Sequence, residues 1–380
     1  MISFSSLPDE IIVNCLARVS KSQYLSLSTV SKSFHTLLSS PEIYAARSQV
    51  GATEPRLYLR SHRWYNLTSL GNSDNDDDGI ISEIKITREL SLVPVRLRLL
   101  SSCGRLREAS FLAVGSDIYQ FGGINKKKGK RSRSVRMLDC RSHMQRRAPK
   151  MRVAREGAKA CVLDGNIYVM GGGCRKNKES WGEVFDVKTQ TWNKELLPSP
   201  SASGEEDEFD CNFEVLVLGE KIYVITEHNK YVFDPKEGRW LMLDMGFVDL
   251  KRIVKIGTVW CVVDNLLFLE FCDDSLRWYD MSSGKWLMVE GLTDLLYTKV
   301  ECHYRMVQLV NYGGKLVIVW VVLPDFVYKQ LIPEERIWFA VIRLEKHLTS
   351  SGLVIWGEIE QLNYLVHGSC NPLTCLTVSL

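Results

Sequence analysis

A repeat with a period of about 47 residues constrains the fold of this chain more than any other feature. The repeat is marked by an aspartate that ends an apolar or aromatic run, at Asp139, Asp186, Asp234 and Asp280, with spacings of 47, 48 and 46 residues. A tryptophan follows six residues later in three of these units, at Trp192, Trp240 and Trp286. Because one such unit is too small to bury a core, the period predicts several similar units packed side by side.

Short apolar runs separated by Gly, Asn and Asp fill each unit, which is the pattern of strands joined by tight turns. Two units also carry glycines directly after an apolar run, at Gly122, Gly123, Gly171 and Gly172. Glycine allows a positive φ and a close approach of the backbone where strands turn in a crowded place. Four strands per unit at this period predict an all-β propeller.

The repeated units extend over residues 57–366, and these 310 residues accommodate six blades with loop insertions. The units at both ends are degenerate, and the last contains an insertion at 324–335. We therefore predict a linker at 51–56, a six-bladed propeller at 57–366 and a C-terminal tail at 367–380. We expect each repeat aspartate to order the turn after it and each tryptophan to pack between blades, rather than to bind a ligand.

Residues 1–50 have helical periodicity instead. Pro8 and two acidic residues precede an apolar face formed by Ile11, Ile12, Cys15, Leu16 and Val19, which predicts a first helix. A second apolar face runs from Tyr24 to Leu38, and Pro41 begins a third short helix. About three helices bury little surface, so this module needs a partner or a larger domain to cover its apolar face.

The segments 7–19 and 27–38 together resemble an F-box, the helical module that docks on the Skp-type adaptor of cullin–RING ubiquitin ligases. The resemblance covers residues 4–48, although Ser31 and Phe34 stand where many members have Cys and Trp. It implies that adaptor binding depends on Leu7, Pro8, Ile11, Leu16, Val19, Val30 and Phe34. Some of these side chains are expected to face the adaptor and others to hold the module together.

The glycine pairs, the aromatic-Asp pairs and the six-residue spacing from Asp to Trp resemble kelch repeats. The residues that carry this resemblance are Gly122, Gly123, Gly171, Gly172, Asp186, Trp192, Asp234, Trp240, Asp280 and Trp286. An F-box followed by kelch repeats is similar to the plant-type F-box/kelch-repeat family. That resemblance implies a substrate-recognition subunit of an SCF-type E3 ubiquitin ligase, in which the F-box docks on the adaptor and the propeller recruits a protein substrate for ubiquitination.

Two alternatives remain open at this point: a kelch scaffold that acts outside a ligase, and an oxidase or isomerase with a site at the propeller mouth. The seven histidines form no HxxxH pair, and the sequence contains no GxSxG, P-loop or dinucleotide-binding fingerprint. We therefore expect a non-catalytic chain with no metal and no cofactor. Its expected partners are a Skp-type adaptor, through it a cullin–RING ligase, and an unidentified protein substrate.

Charge and cysteine content limit the remaining function classes. Lys and Arg number 48 against 45 Asp and Glu, a balance that argues against a general nucleic-acid or membrane-surface binder. The longest clean apolar run has eight residues, whereas a bilayer needs about 20. Eleven cysteines are scattered without a CxxC pair, which is typical of reduced thiols in a cytoplasmic or nuclear protein.

A basic segment is the strongest local charge feature. Residues 126–155 contain thirteen Lys and Arg and one acid, Asp139. The expected substrate contacts in this segment are Lys126, Lys127, Lys128, Arg131, Arg152 and Arg155, on loops that carry specificity in a rigid scaffold. Three interpretations stay open: a patch that attracts an acidic or phosphorylated partner segment, a nuclear-import signal, or a solvated loop.

Overall fold

The computed structural model describes most of the chain between Leu7 and Leu380. The described residues are 7–61, 64–69, 80–81, 84–85, 90–95, 98–99, 106–125, 129–173, 180–200, 213–226, 229–243, 260–270, 275–293, 295, 304–322, 326–327, 330–331, 336–350, 352–366 and 374–380.

Four α-helices form the N-terminal module: α1 (Asp9–Ala17), α2 (Tyr24–Ser28), α3 (Lys32–Leu38) and α4 (Pro41–Gln49), with a 3-10 turn at Lys21–Gln23. The predicted module of a few short helices is confirmed, and its second apolar face is divided between two helices separated at residues 29–31. Ser31 is extended there, and its hydroxyl accepts a hydrogen bond of 3.2 Å from the Phe34 amide. This N-cap starts a new helix and therefore breaks the apolar face that sequence periodicity read as continuous.

A small apolar core holds these helices together. The buried side chains are Ile12, Leu16, Ala17, Tyr24, Leu38 and Ile43. Helix α1 lies against α4, and α2 lies against α3. A core of this size is marginal by itself, so the module depends on the domain to which it is attached.

Six blades, each with four antiparallel strands, follow the helices and confirm the predicted propeller. From the innermost strand outward, blade 1 consists of Thr374–Ser379, Pro55–Arg60, Trp64–Ser69 and Leu90–Pro94. Blade 2 consists of Ser110–Val114, Asp117–Phe121, Val135–Asp139 and Met144–Ala148. Blade 3 consists of Lys159–Leu163, Asn166–Met170, Gly182–Asp186 and Thr191–Trp192. Each innermost strand contacts the innermost strand of the next blade, and the sixth contacts the first, so the ring is closed.

Blades 4 to 6 have the same arrangement. Blade 4 consists of Glu214–Leu218, Lys221–Ile225, Lys230–Asp234 and Arg239–Met242. Blade 5 consists of Trp260–Val263, Leu266–Glu270, Leu276–Asp280 and Lys285–Met288. Blade 6 consists of Tyr304–Tyr312, Lys315–Val322, Arg336–Thr349 and Gly352–Val366. Short strands add to the edges: Arg98–Leu99 parallel to the outer strand of blade 2, a small sheet of Leu106–Arg107, Ile124–Asn125 and Lys130–Arg131, and the pairs Ile80–Ile81 with Ile84–Lys85 and Phe326–Val327 with Gln330–Leu331.

The two ends of the propeller chain pair with each other. Thr374–Ser379 lies antiparallel to Pro55–Arg60, with Pro55 opposite Ser379. The prediction of a C-terminal tail at 367–380 outside the propeller was therefore wrong over its last residues. The predicted linker 51–56 is also two residues too long, because the first propeller strand begins at Pro55. The physical reason is that the N-terminal part of blade 1 supplies only three of four strands, and the open edge is completed by a strand whose Cys375 and Val378 enter the core.

The repeat aspartates lie at the start of the turn between the third and fourth strands. The Asp186 carboxylate accepts hydrogen bonds from the amides of the second and third residues after it, at 2.7 and 2.9 Å, and Asp234 and Asp280 do the same in their blades. The fourth residue after the aspartate has a left-handed backbone, at Gly238 and Gly284 and also at Gln190. The fixed spacing from Asp to Trp is therefore the length of this turn.

The repeat tryptophans lie in the seams between blades. The Trp192 ring is 5.0 Å from Phe185 in its own blade and 6.4 Å from Phe121 in the preceding one, and its indole nitrogen donates to the Pro149 carbonyl at 2.9 Å. Trp240 likewise contacts Phe233 at 5.0 Å and Trp181 of blade 3 at 5.6 Å. Trp286 contacts Tyr279 at 5.2 Å in its own blade and packs on the core between blades 4 and 5.

Two of the predicted glycines lie where no side chain fits. Gly122 and Gly172 have φ values of +60° and +66°. A Cβ atom at Gly122 would be 2.4 Å from the Arg155 carbonyl oxygen, and one at Gly172 would be 2.2 Å from the Glu156 carbonyl oxygen. These glycines therefore let the loops after the second strands of blades 2 and 3 lie against the link between those blades.

Substitution of the ring-closing strand provides a direct test of the fold. Val378 is 1% exposed, whereas its neighbour Ser379 is exposed on the same strand. We expect Val378→Asp to lower the free energy of unfolding by more than about 4 kcal/mol, because it buries a charge, and Ser379→Asp to change it by less than about 0.5 kcal/mol. Urea unfolding followed by tryptophan fluorescence measures both values, and similar effects of the two variants would contradict closure by this strand.

Candidate functional site

The structure separates the seven predicted F-box residues by exposure. Pro8, Ile11 and Val30 are exposed, with 48% of the Ile11 residue and 67% of the Val30 residue accessible. Pro8 occupies the N-cap position of α1, and its carbonyl accepts hydrogen bonds from the amides of Ile11 and Ile12 at 2.9 and 3.1 Å. Exposed apolar side chains of this size on a small module are available to a partner.

The other four predicted F-box residues pack inward. Leu16 is 3% exposed in the core of the module, so it belongs to the predicted residues that hold the module together. Leu7, Val19 and Phe34 are partly buried against the same core. Leu16 therefore supports the helices that present the exposed residues, and a helical apolar face viewed in sequence does not distinguish these two roles.

A buried arginine organises the F-box helices. Arg47 of α4 is 1% exposed. One guanidinium nitrogen donates to the Ala17 carbonyl at 3.2 Å, the Val19 carbonyl at 2.6 Å and the Tyr24 hydroxyl at 3.1 Å. The other donates to the Glu54 carboxylate at 3.0 Å. Sequence reasoning missed Arg47, because a single arginine in a short amphipathic helix carries no signal of burial.

Glu54 joins the F-box to the ring-closing strand. Its carboxylate accepts hydrogen bonds from Arg47 and from the Lys21 amide, the latter at 2.9 Å. Its backbone exchanges two hydrogen bonds with Leu380, at 2.8 and 2.9 Å. Tyr44 of α4 packs beside this point against the apolar cluster between blades 1 and 2. The helical module is therefore fixed to the propeller where the chain ends meet.

Lys21 is a half-buried cation at this joint. Its ammonium group lies 4.6 Å above the centre of the Tyr44 ring. Burial, together with the nearby charges of Arg56 and Arg47, lowers the pKa of Lys21 from 10.5 to about 8. The joint thus contains one amine whose charged form is disfavoured in the folded protein.

The joint defines two faces of the propeller. The F-box lies on the face that carries the turns between first and second strands, since the Ser379 amide donates to the carbonyl of Gly115 in such a turn of blade 2. The Tyr58 hydroxyl on this face contacts His143, in the turn between the third and fourth strands of blade 2, at 3.0 Å. The opposite face, here the distal face, carries the loops between second and third strands and the links between blades. The predicted substrate contacts that the structure describes, Arg131, Arg152 and Arg155, lie in segments of the distal face.

Arg155 does not present its charge to a partner. It is fully buried, and its guanidinium donates to the Glu183 carboxylate at 3.1 Å. Further hydrogen bonds join it to the carbonyls of Gly171, Trp181 and Ser180 at 2.6, 2.7 and 2.9 Å. The prediction that Arg155 contacts a substrate is therefore wrong, because the residue is the internal counter-ion of Glu183, which is 28 residues away in sequence.

The remaining predicted substrate residues differ in whether the structure describes them, and the remaining predicted glycines lie in the framework. Arg131 and Arg152 are exposed on the distal face, whereas Lys126, Lys127 and Lys128 lie outside the described residues. Gly123 donates its amide to the Arg155 carbonyl at 2.8 Å, and Gly171 donates to the Trp181 carbonyl at 2.9 Å. The glycine pairs therefore belong to the framework around Arg155.

Metal ligands and reactive thiols are the groups through which the described residues could perform chemistry. Among them, no three His, Cys, Asp or Glu side chains come close enough to hold a metal ion. The described cysteines are free thiols, and burial raises the pKa of Cys140, Cys161 and Cys375. In the same part of the chain no helix has the length and apolarity to span a membrane.

Comparison with known families agrees with both parts of this architecture. The family profile of the F-box domain matches residues 4–45, and that of the FKB95, Kelch-repeats domain matches residues 64–366. The chain belongs to the F-box/kelch-repeat family.

Three proteins of Arabidopsis thaliana that carry the name F-box/kelch-repeat protein are similar along most of their length. One is 48% identical over 96% of this chain and 90% of its own. The others are 37% identical over 95% of this chain and 88% of their own, and 36% identical over 100% and 93%. The combination of an F-box and kelch repeats is that of SCF-type substrate adaptors, which are typically non-catalytic.

The pH dependence of stability tests the half-buried amine of Lys21 at the joint. The unfolded chain keeps the ordinary Lys21 pKa of 10.5, whereas the folded pKa is about 8. Between these values the unfolded state binds more protons, so the contribution of Lys21 to the free energy of unfolding rises with pH. We expect Lys21→Met to be more stable than the wild type near about pH 7, and this advantage to shrink near about pH 10. Urea unfolding at both pH values measures the difference, and a constant difference would contradict burial of the charge.

The Arg155–Glu183 pair is tested by a matched pair of variants. Arg155→Met leaves the Glu183 carboxylate buried without its counter-ion, so we expect a loss of about 3–5 kcal/mol in the free energy of unfolding. Arg152→Met removes an exposed arginine of the same loop, and we expect a change within about 0.5 kcal/mol. If thermal or urea unfolding gives the same stability for both variants, Arg155 is not the internal counter-ion described here.

Proposed function

We propose that this chain is the substrate-recognition subunit of an SCF-type E3 ubiquitin ligase. Its F-box binds a Skp-type adaptor, and through it a cullin–RING ligase, by the exposed surface around Pro8, Ile11 and Val30. Its propeller recruits a protein substrate for ubiquitination. The observation that supports adaptor docking most directly is the exposure of Ile11 and Val30 on a module whose described core contains Ile12, Leu16, Tyr24, Leu38 and Ile43.

The joint supports the assignment of adaptor binding to the F-box and of substrate binding to the propeller. The propeller covers the side of the F-box that contains Tyr44 and Lys21, and Arg47 and Glu54 hold the two together. The exposed apolar side chains are left for a second protein, since water contact with groups of this size is unfavourable. A fixed joint also keeps the propeller at a defined position relative to the adaptor, which helps to place a bound substrate near the rest of the ligase.

The distal face is the part of the propeller best suited to substrate binding. It lies away from the F-box joint and carries the loops and blade links that vary most between the six units. Loops on a rigid scaffold are the usual carriers of binding specificity.

The free thiols among the described cysteines support action in a reducing compartment, the cytoplasm or the nucleus.

The adaptor surface is tested by charge at its two apolar side chains. We expect Ile11→Asp combined with Val30→Asp to weaken binding of the full chain to a Skp-type adaptor roughly a thousandfold, because two desolvated anchors contribute about 2 kcal/mol each. Isothermal titration calorimetry with purified proteins gives the affinity.

Leu348→Asp is the control, since Leu348 is an exposed leucine, 87% accessible, in blade 6 of the propeller. It should leave adaptor affinity unchanged. Wild-type affinity in the double variant would show that the adaptor does not bind this surface.

A further inference from the structure

Six exposed cations gather on the distal face at the seam between blades 2 and 3. They are Lys130, Arg131, Arg133, Lys150, Arg152 and Lys194, here called the cationic corner. Residues 130–133 run beside the link 150–155, because the Met151 amide donates to the Arg133 carbonyl at 2.9 Å and the Arg155 amide donates to the Ser132 carbonyl at 3.0 Å. Cations from two distant segments of blade 2 therefore share one surface.

The surface continues onto blade 3. The Arg152 guanidinium donates to the Lys194 carbonyl, just after the outer strand of that blade. Arg133 donates from its Nε to the Met151 carbonyl at 2.5 Å, which holds its side chain along the link. The cationic corner is thus contiguous through direct contacts rather than through closeness in sequence.

The backbone beneath the cationic corner is held rigid. Glu183, itself 1% exposed, accepts hydrogen bonds from the Arg152 amide at 2.6 Å and the Val153 amide at 3.0 Å. The buried Arg155 guanidinium neutralises this carboxylate, with 3.1 Å between Arg155 Nε and Glu183 Oε1. A charged loop fixed in this way loses little conformational entropy when it binds a partner, which favours affinity.

The acids near the cationic corner limit what it can bind. Glu156 accepts from Arg131 at 3.1 Å, and Glu195 is exposed directly after Lys194. A nucleic acid presents an unbroken row of phosphates, and these would be repelled by carboxylates interspersed among the cations. A polypeptide can instead place its acids opposite the cations and neutral residues opposite Glu156 and Glu195.

We propose that the cationic corner is a docking surface for a carboxylate-rich segment of the substrate protein. The proposal rests on the proposed function for the statement that the bound protein is a substrate. Guanidinium groups bind carboxylates through charge-assisted hydrogen bonds, and Arg131 already does so with Glu156. An incoming carboxylate exchanges with that exposed contact, while Lys150 and Arg152 supply further charge.

The test uses the full chain and a fluorescein-labelled peptide of alternating glutamate and serine, with the glutamine counterpart as the neutral probe. Lys150→Glu combined with Arg152→Glu reverses two charges of the cationic corner. Lys188→Glu combined with Lys285→Glu is the control, because both lysines are exposed on outer strands or turns away from the distal face. Circular dichroism melts verify that both double variants fold.

We expect the wild type and the control to bind the glutamate peptide with similar affinity by fluorescence anisotropy, and Lys150→Glu/Arg152→Glu to bind at least about tenfold more weakly. Affinity should fall as salt is raised, and the glutamine peptide should not bind. Equal affinity of the two double variants, equal binding of both peptides, or tighter binding of a single-stranded oligonucleotide than of the glutamate peptide would overturn the proposal.

Adaptor binding by the same proteins separates this proposal from the proposed function. We expect both double variants to bind a Skp-type adaptor as the wild type does, since their substitutions lie outside the F-box. A wild-type chain that binds the peptide but not the adaptor would contradict the proposed function alone. Loss of adaptor binding only in Lys150→Glu/Arg152→Glu would overturn the assignment of the cationic corner to substrate.

Discussion

The pairing of Thr374–Ser379 with Pro55–Arg60 is the interaction on which the rest of the structure depends. It supplies the missing inner strand of blade 1 and closes the ring of six blades. It also places Leu380 beside Glu54, so that the last residue of the chain takes part in the joint that holds the F-box. Closure of the propeller and attachment of the F-box are therefore one structural event, and strands far apart in sequence must meet before either is complete.

The joint explains how a helical module with a small core is stabilised. Arg47 satisfies carbonyl groups at the end of α1 and the tyrosine hydroxyl of α2, while its charge is balanced by Glu54. Buried ion pairs of this kind are costly to break but add little stability compared with apolar packing. Their effect here is to fix orientation, which leaves Ile11 and Val30 on the free side of the module. The cationic corner lies on the distal face, so adaptor and substrate would occupy opposite sides of the molecule.

Sequence alone predicted the features that repeat. The spacing from Asp to Trp predicted the blades because the turn after Asp186 has a fixed length and its left-handed fourth residue recurs. The closing strand was missed because it is the inner strand of a blade and carries neither the aspartate nor the tryptophan. Burial of Arg155 and exposure of Arg152 could not be told apart in a basic segment, since the difference depends on Glu183, which only the folded chain brings near. The sequence could not separate Leu16, which is buried, from Ile11, which is exposed, because periodicity identifies an apolar face without showing what covers it.

Hydrogen exchange of the full chain with and without a Skp-type adaptor tests the central claim most directly. The account predicts that the adaptor slows exchange in α1 and around Val30 and α3, while amides of the closing strand and of the cationic corner exchange as before. It also predicts a stable complex with one copy of each protein. The absence of a complex, or protection confined to the distal face of the propeller, would contradict the claim that the F-box is the docking module and the propeller the substrate-binding part.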